Sequence, residues 1–220
     1  MSAEIVRIFV GLDLGQSRDP SALAVVERAE LILDEVDYVT YERRRAWRWR
    51  VLFLERMRLG TPYPAVVGRV REVVRRPALA GRCELAMDAT GLGMPVLDML
   101  RAANLGCRIA PVLLTGGEQE SCVNGIWHVP KRDLITGLQH MLEKRELGLP
   151  ARFPAARDLG REIVDMEVRV SDRGRVSYGA WRAGEHDDLV VATALACWRA
   201  KWKERPWGRE FGAGMKGKSQ

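Results

Sequence analysis

Four aspartates stand where a carboxylate needs an explanation. Asp13 lies in the apolar run IFVGLDLG, Asp88 ends CELAMD ahead of ATGLG, and Asp187 and Asp188 open the apolar run LVVATALACW. An unpaired carboxylate in apolar surroundings costs several kcal/mol and tends to protonate instead. Turn amides near Gly15 and Pro20 offer one remedy for Asp13 or Asp19. Helix capping offers another for a single acid at a helix start, worth about 0.3–1 kcal/mol. Two adjacent acids beside His186, with two more at similar positions earlier in the chain, favour a shared metal cation. Asp13, Asp88 and Asp187 or Asp188 would supply hard oxygen ligands, which suit Mg²⁺ or Mn²⁺ and suit zinc or copper poorly. Magnesium keeps several waters and is usually completed by a substrate phosphate. Two ions about 3.5–4 Å apart activate a water and stabilise the leaving oxygen of a phosphodiester, so hydrolysis of nucleic acid is the expected chemistry. Asp19 and His186 are then candidates for outer-shell or proton-transfer groups.

The elements that must position these acids follow from periodicity and punctuation. Residues 5–14 read as a buried strand and residues 21–28 as its antiparallel hairpin partner, with Gly15 and Pro20 in the turn. A third apolar strand is expected over residues 51–57, and a helix over 65–76 with Val66, Val67, Val70, Val73 and Val74 on its apolar side. The strand 83–88, a Gly-containing turn and a helix over 95–103 form half of a βαβ unit, which a strand over 108–114 completes. Asp88 thus falls at the carboxyl end of a strand, where α/β folds place their chemistry. Residues 115–125 read as a polar loop, 132–146 and 157–165 as helices, and 167–171 with 175–181 as a hairpin. The run from Leu189 is apolar nearly all round, which makes it a buried helix with the acid pair at its first turn. Because it has no polar side to set its phase, either Asp187 or Asp188 could face the metal.

Composition sets the frame. The chain has 220 residues, is 47% hydrophobic and 29% charged, and carries a formal net charge of +6 with a pI near 9.4. One domain is expected over residues 1–203, followed by a basic tail over 204–220. The positive charge suits a polyanionic partner. In RRRAWRWR an extended chain places Arg43, Arg45, Trp47 and Trp49 on one face and Arg44, Arg48 and Arg50 on the other. Guanidinium groups bind phosphates bidentately and indoles stack on bases, so this stretch is either a nucleic-acid contact or a strand with core tryptophans and solvated arginines. Lys131 at a helix entry is either a phosphate contact or a solvated side chain. Cys83, Cys107, Cys122 and Cys197 include no CxxC pair, which points to reduced thiols in a cytosolic protein. No 18 apolar residues run together, so no membrane partner is expected.

GLDLG with DPSALAVVE behind it, MDATGLG before a helix, and HDDLVVATALA opening the last helix resemble, in that order, the RNase H-like nuclease domain of bacteriophage terminase large subunits. The likeness spans about residues 5–200 and extends to LERMRLGTPYPAVV, VPKRDLI and REIVDMEVRV. It implies an α/β fold, an RNase H-like mixed five-stranded sheet with helices on both faces, plus a β-hairpin in the C-terminal half. It also implies a metal-dependent endonuclease that cuts concatemeric DNA during genome packaging, with acidic ligands at Asp13, Asp88 and the Asp187/Asp188 pair. The implied partners are double-stranded DNA, a separate terminase ATPase, a small terminase subunit and a portal, in the cytoplasm of a host cell. Terminase large subunits carry a GxxxxGK[ST] loop in an ATPase domain, and this sequence has none, so ATP-driven translocation is expected to require another polypeptide. GLDLGQSRDPSALAVVE and MDATGLG also resemble the phosphate loops of actin-like ATPases and sugar kinases, whose duplicated fold 220 residues cannot hold. The same residues are also compatible with a catalytically silent DNA-binding module or a Holliday-junction resolvase.

Overall fold

The computed structural model describes residues 4–15, 19–91, 93–150, 154–165, 167–170, 176–179 and 186–202. Along the chain run β1 (Glu4–Asp13), β2 (Ala22–Val36), β3 (Arg43–Arg56), α1 (Tyr63–Val74), β4 (Cys83–Asp88), α2 (Gly93–Ala102), β5 (Arg108–Thr115), β6 (Ser121–Val123) and β7 (Ile126–Pro130). They are followed by α3 (Lys131–Glu143), β8 (Leu147–Gly148), α4 (Pro154–Asp165), β9 (Glu167–Val170), β10 (Val176–Gly179) and α5 (Asp188–Trp202). The main sheet has the order β6-β7-β5-β4-β1-β2-β3-β8, while β9 and β10 form a separate antiparallel pair. The five expected strands therefore form its centre, and three short ones widen it to eight. The fold is mixed α/β, as the β1–β2 and β2–β3 pairs are antiparallel while β1–β4 and β4–β5 are parallel.

The period of two along a strand separates the core into two layers. Val10, Leu12, Leu23, Val25, Leu85 and Met87 pack on the valine face of α1 and on Val96, Leu97 and Leu100 of α2. Phe9, Ala24, Val26 and Ala86 face the opposite way, against α5, Leu134, Ile135, Leu138 and Met141 of α3, and Leu159 of α4. Helices thus cover both faces. Described residues of α5 are buried on every side as far as Ala200, as the absence of a polar stripe requires.

Three differences from the sequence expectation have physical causes. First, β2 continues to Val36 and β3 starts at Arg43, although apolar patterning ends the former near Arg28 and starts the latter at Val51. The extra length is an exposed ribbon stabilised by opposite charges across the strands, which apolar periodicity does not register. Second, the expected loop over 115–125 contains β6, paired antiparallel with β7. Asn124 and Gly125 make the turn with φ of 51° and 80°, the positive-φ pair of a two-residue hairpin, and Asn-Gly is a strong sequence signal for it. Third, α3 begins at Lys131 and ends at Glu143, so residues 144–146 leave the helix about one turn early, with Arg145 at φ 57°, and lead into the two-residue strand β8. The turn expected at residues 172–174 and the tail over 204–220 lie outside the described residues. All four cysteines are free thiols, and among the described residues no helix is long and apolar enough to cross a membrane.

Candidate metal centre

The strand period and register bring the first two acids together. Phe9, Gly11 and Asp13 alternate onto the α5 face of β1, while Ala86 and Asp88 do so on β4. The two strands run parallel with Gly11 beside Ala86 and Leu12 beside Met87, so Asp13 and Asp88 follow at adjoining carboxyl ends. Gly11 then determines how close the last helix comes. A Cβ there would lie 1.8 Å from the Ala192 carbonyl oxygen and 2.8 Å from the Ala196 nitrogen. Only glycine lets α5 lie directly across β1, and this directs the helix start, with Asp187 and Asp188, toward the strand ends.

The result is a cavity of about 320 Å³ whose wall includes Asp13, Asp19, Asp88, Lys131, Asp187 and Asp188. The turn beyond Asp13 is pinned where the Gly15 N–H donates to Ser21 Oγ at 3.0 Å and the Tyr63 hydroxyl donates to the Gly15 carbonyl at 3.3 Å. Asp88 is aimed by the Thr90 N–H, which donates to its Oδ1 at 2.8 Å, while Thr90 Oγ1 accepts the Leu114 N–H at 2.9 Å. Burial, then the negative charges of Asp88 and Asp187, hold Asp13 well above the usual carboxylate range against the pull of Lys131. Burial also raises Asp88, opposed by the Thr90 hydrogen bonds and by Lys131.

The two adjacent acids have different surroundings. Asp187 accepts the Val191 N–H at its main-chain oxygen (2.9 Å), and its Oδ2 meets Lys131 Nζ at 2.7 Å. Asp188 is 3% exposed, and its Oδ2 takes the Arg56 Nε–H at 2.8 Å. Arg56 Nη2 also pairs with Glu162 Oε1, while Glu162 Oε2 accepts the Val190 N–H at 3.0 Å. Burial raises the Asp188 carboxyl, offset by Arg56. After burial, the negative charges of Asp187 and Asp188 both raise Asp13, and that of Asp187 also raises Asp88.

The remaining predicted residues divide sharply. Lys131 is at the site and paired with Asp187, which excludes a freely solvated side chain. His186 Nδ1 lies 3.8 Å from Asp19 Oδ1, and the Asp19 side chain is 68% exposed at the cavity rim. The arginine stretch is on the distant ribbon. Arg43, Arg44, Arg45 and Arg50 pair with Asp34, Glu35, Glu30 and Glu27 at 2.8–3.3 Å. Trp49 is buried in the core at 4% exposure, whereas Trp47 is 44% exposed, and the Arg28 guanidinium lies over both rings. Arg48 lies on the exposed surface of the same ribbon. Arg56 and Glu162 escape a reading of the sequence: an arginine ending an apolar strand and a glutamate in an amphipathic helix carry no local mark of burial. A larger cavity of about 590 Å³ between α3 and α5 has Glu120 accepting the Trp198 Nε1–H and gathers no comparable set of acids.

Among the described residues no three His, Cys, Asp or Glu side chains stand close enough together to hold a metal, and Lys131 engages Asp187 while Arg56 engages Asp188. The donor chemistry nevertheless fits a hard divalent cation. The donors are all carboxylate oxygens, burial and then their mutual repulsion raise Asp13, and Asp188 Oδ1 is buried without a hydrogen-bond partner among the described residues.

No protein-family model and no curated protein sequence matches the chain. Solved structures do. The large terminase nuclease from thermophilic phage G20c with bound magnesium superposes with a TM-score of 0.59 and 21% identity, over 88% of this chain and 82% of that one. A mutant nuclease domain of the large terminase subunit of bacterial virus Sf6, with manganese and β-thujaplicinol, gives 0.58 and 10%, over 87% of each chain. The HK97 bacteriophage large terminase gives 0.54 and 14%, with 88% of this chain covering 39% of that protein.

Proposed function

The chain has the fold of the large-terminase nuclease domains, and from that premise we propose that it is a divalent-metal-dependent endonuclease that hydrolyses DNA phosphodiester bonds during phage genome packaging. The observation that carries this reading is the meeting of Asp13, Asp88 and Asp187 in one cavity at the adjoining ends of β1, β4 and α5. Asp13, Asp88 and Asp187 would hold Mg²⁺ or Mn²⁺, with two ions as the expected complement, and Asp188 stands behind them. Bound there, such ions supply a water activated for attack and charge stabilisation at the leaving oxygen.

The chain's own residues do the rest. Thr90 fixes the Asp88 carboxylate through its backbone N–H, so that oxygen is oriented before any ligand arrives. Lys131 neutralises Asp187 in the absence of substrate and is placed to take up negative charge from a phosphate. Leu14, Leu114 and Val191 give the cavity apolar wall, which lowers the local dielectric and strengthens each charge interaction. His186 and Asp19 lie at the rim, suited to proton exchange with water. The expected partners are double-stranded DNA, a terminase ATPase, a small terminase subunit and a portal, in the host cytoplasm. Phosphate contacts carry no sequence information, so little base preference is expected.

The test is incubation of the purified chain with plasmid DNA in Mg²⁺, Mn²⁺ or EDTA, beside Asp88→Ala. Metal-dependent nicking that the substitution abolishes supports the reading. Folded protein that cleaves with neither ion sinks it, and a silent DNA-binding module would then account for the fold.

A further inference from the structure

Asp188 lines the same cavity as the three proposed ligands, but one of its oxygens is taken. The Arg56 guanidinium is a clamp across three elements. Its Nε holds Asp188 Oδ2 at 2.8 Å at the start of α5, its Nη2 holds Glu162 Oε1 on α4, and its own backbone ends β3. Glu162 completes the clamp by accepting the Val190 N–H in the first turn of α5 at 3.0 Å. Asp188 Oδ1 is left buried with no hydrogen-bond partner among the described residues. One guanidinium thus occupies one oxygen of a fourth carboxylate at the cavity wall and leaves that acid a single free oxygen.

The number of carboxylates decides which hard cation a site prefers. Mg²⁺ is small, keeps several waters and is satisfied by one or two carboxylates plus substrate phosphate, whereas Ca²⁺ takes 6–8 oxygens and its affinity rises with the number of charged ligands. We propose that Arg56 is the metal-selectivity determinant of this site: by holding Asp188 Oδ2 it limits that acid to one oxygen toward the cavity, which keeps the carboxylate donor count low and favours Mg²⁺ and Mn²⁺ over Ca²⁺. The inference rests on the reading that Asp13, Asp88 and Asp187 hold a divalent cation. A purely architectural clamp would change stability but leave the order of ion affinities alone.

Titration calorimetry of the full chain with Mg²⁺, Mn²⁺ and Ca²⁺ separates these roles without reference to cleavage. In Arg56→Gln both Asp188 oxygens are free for bidentate ligation, and Ca²⁺ affinity relative to Mg²⁺ rises on the order of tenfold. Adding Asp188→Asn to Arg56→Gln returns the ratio to its original value. Arg56→Lys keeps a cation but loses the two-pronged geometry, so it gives a smaller shift in the same direction and remains readable if the glutamine variant does not fold. A folded Arg56 variant with an unchanged Ca²⁺/Mg²⁺ ratio overturns the proposal, as does a shift that persists once residue 188 is asparagine. Wild-type protein that takes up none of the three ions overturns the metal-centre reading itself, and the selectivity proposal with it.

Discussion

The carboxylate cavity and the β2–β3 ribbon are both dense in charge, and they handle it in opposite ways. In the cavity Asp13, Asp88, Asp187 and Asp188 converge with Lys131, and burial and mutual repulsion drive Asp13 toward protonation. Along the ribbon, residues 27–50 carry six acids and six arginines, and Arg43, Arg44, Arg45 and Arg50 each sit against an acid of the neighbouring strand. The ribbon is neutral within a chain of net charge +6. Charge that is already compensated adds little, since exposed ion pairs are worth about 0–1 kcal/mol. Uncompensated charge under burial destabilises the free protein and is therefore the stronger mark of a ligand.

The hardest blow to this contrast would come from the acids themselves. Asp187→Asn is expected to reduce metal-dependent nicking to background while leaving the melting temperature at or above that of wild type, because it removes a like charge from the cavity. Asp188→Asn is expected mainly to lower thermal stability, because it breaks the Arg56 clamp. If plasmid assays and melts gave the reverse assignment, the site would be phased the other way round α5. A second large effect separates the two tryptophans of the ribbon. Trp49→Ala should cost about 3–5 kcal/mol in urea unfolding, as for other buried aromatics, whereas Trp47→Ala should stay within about 0.5 kcal/mol, as for a surface change.

These two regions also differ in how legible they are in the sequence. Asp13 and Asp88 can be read from it because an acid in an otherwise apolar strand is a local contradiction, and strand alternation settles which face it takes. The central strands and the buried last helix follow from the same apolar periodicity. What stays hidden depends on pairing between distant residues. The different surroundings of Asp187 and Asp188 depend on Arg56, more than 100 positions earlier, and on the closeness that Gly11 allows. The ribbon's pairing is a match between charges on two strands, each of which alone reads as a solvated segment. The β6–β7 hairpin is signalled by Asn124-Gly125 but is too short to leave an apolar pattern.

A smaller effect tests the cost of the uncompensated acids. Asp13 binds its proton more tightly in the folded state than in the unfolded one, so folding loses stability as pH rises through the folded value. Asp13→Asn should therefore raise the melting temperature in EDTA at pH 8. Each ~1 kcal/mol gained would appear as about 2–4 °C for a chain of this size. The gain should shrink as pH falls and vanish well below about 4, the ordinary carboxylate value, where wild-type Asp13 is protonated in both states. An equal gain across that range would mean that the effect is steric and not electrostatic.

The least effect is expected on the ribbon, and its smallness is the point. If Arg43 and Arg44 bound DNA phosphates, replacing both with alanine would lower the slope of log affinity against log salt by roughly 2, about one unit for each phosphate no longer neutralised. Their guanidinium groups are instead held by Asp34 and Glu35 at 3.3 and 3.0 Å, so binding DNA would require breaking those pairs and leaving two acids facing a polyanion. The doubly substituted chain should therefore keep the wild-type salt slope in a fluorescence titration with duplex DNA, and change stability by less than about 1 kcal/mol. Lys131→Ala should reduce the slope, because the cavity lysine is the cation placed to meet the phosphate. A reduced slope from the ribbon substitutions with none from Lys131→Ala would reverse the comparison, making the ribbon the DNA-binding surface and the Lys131–Asp187 pair an internal one.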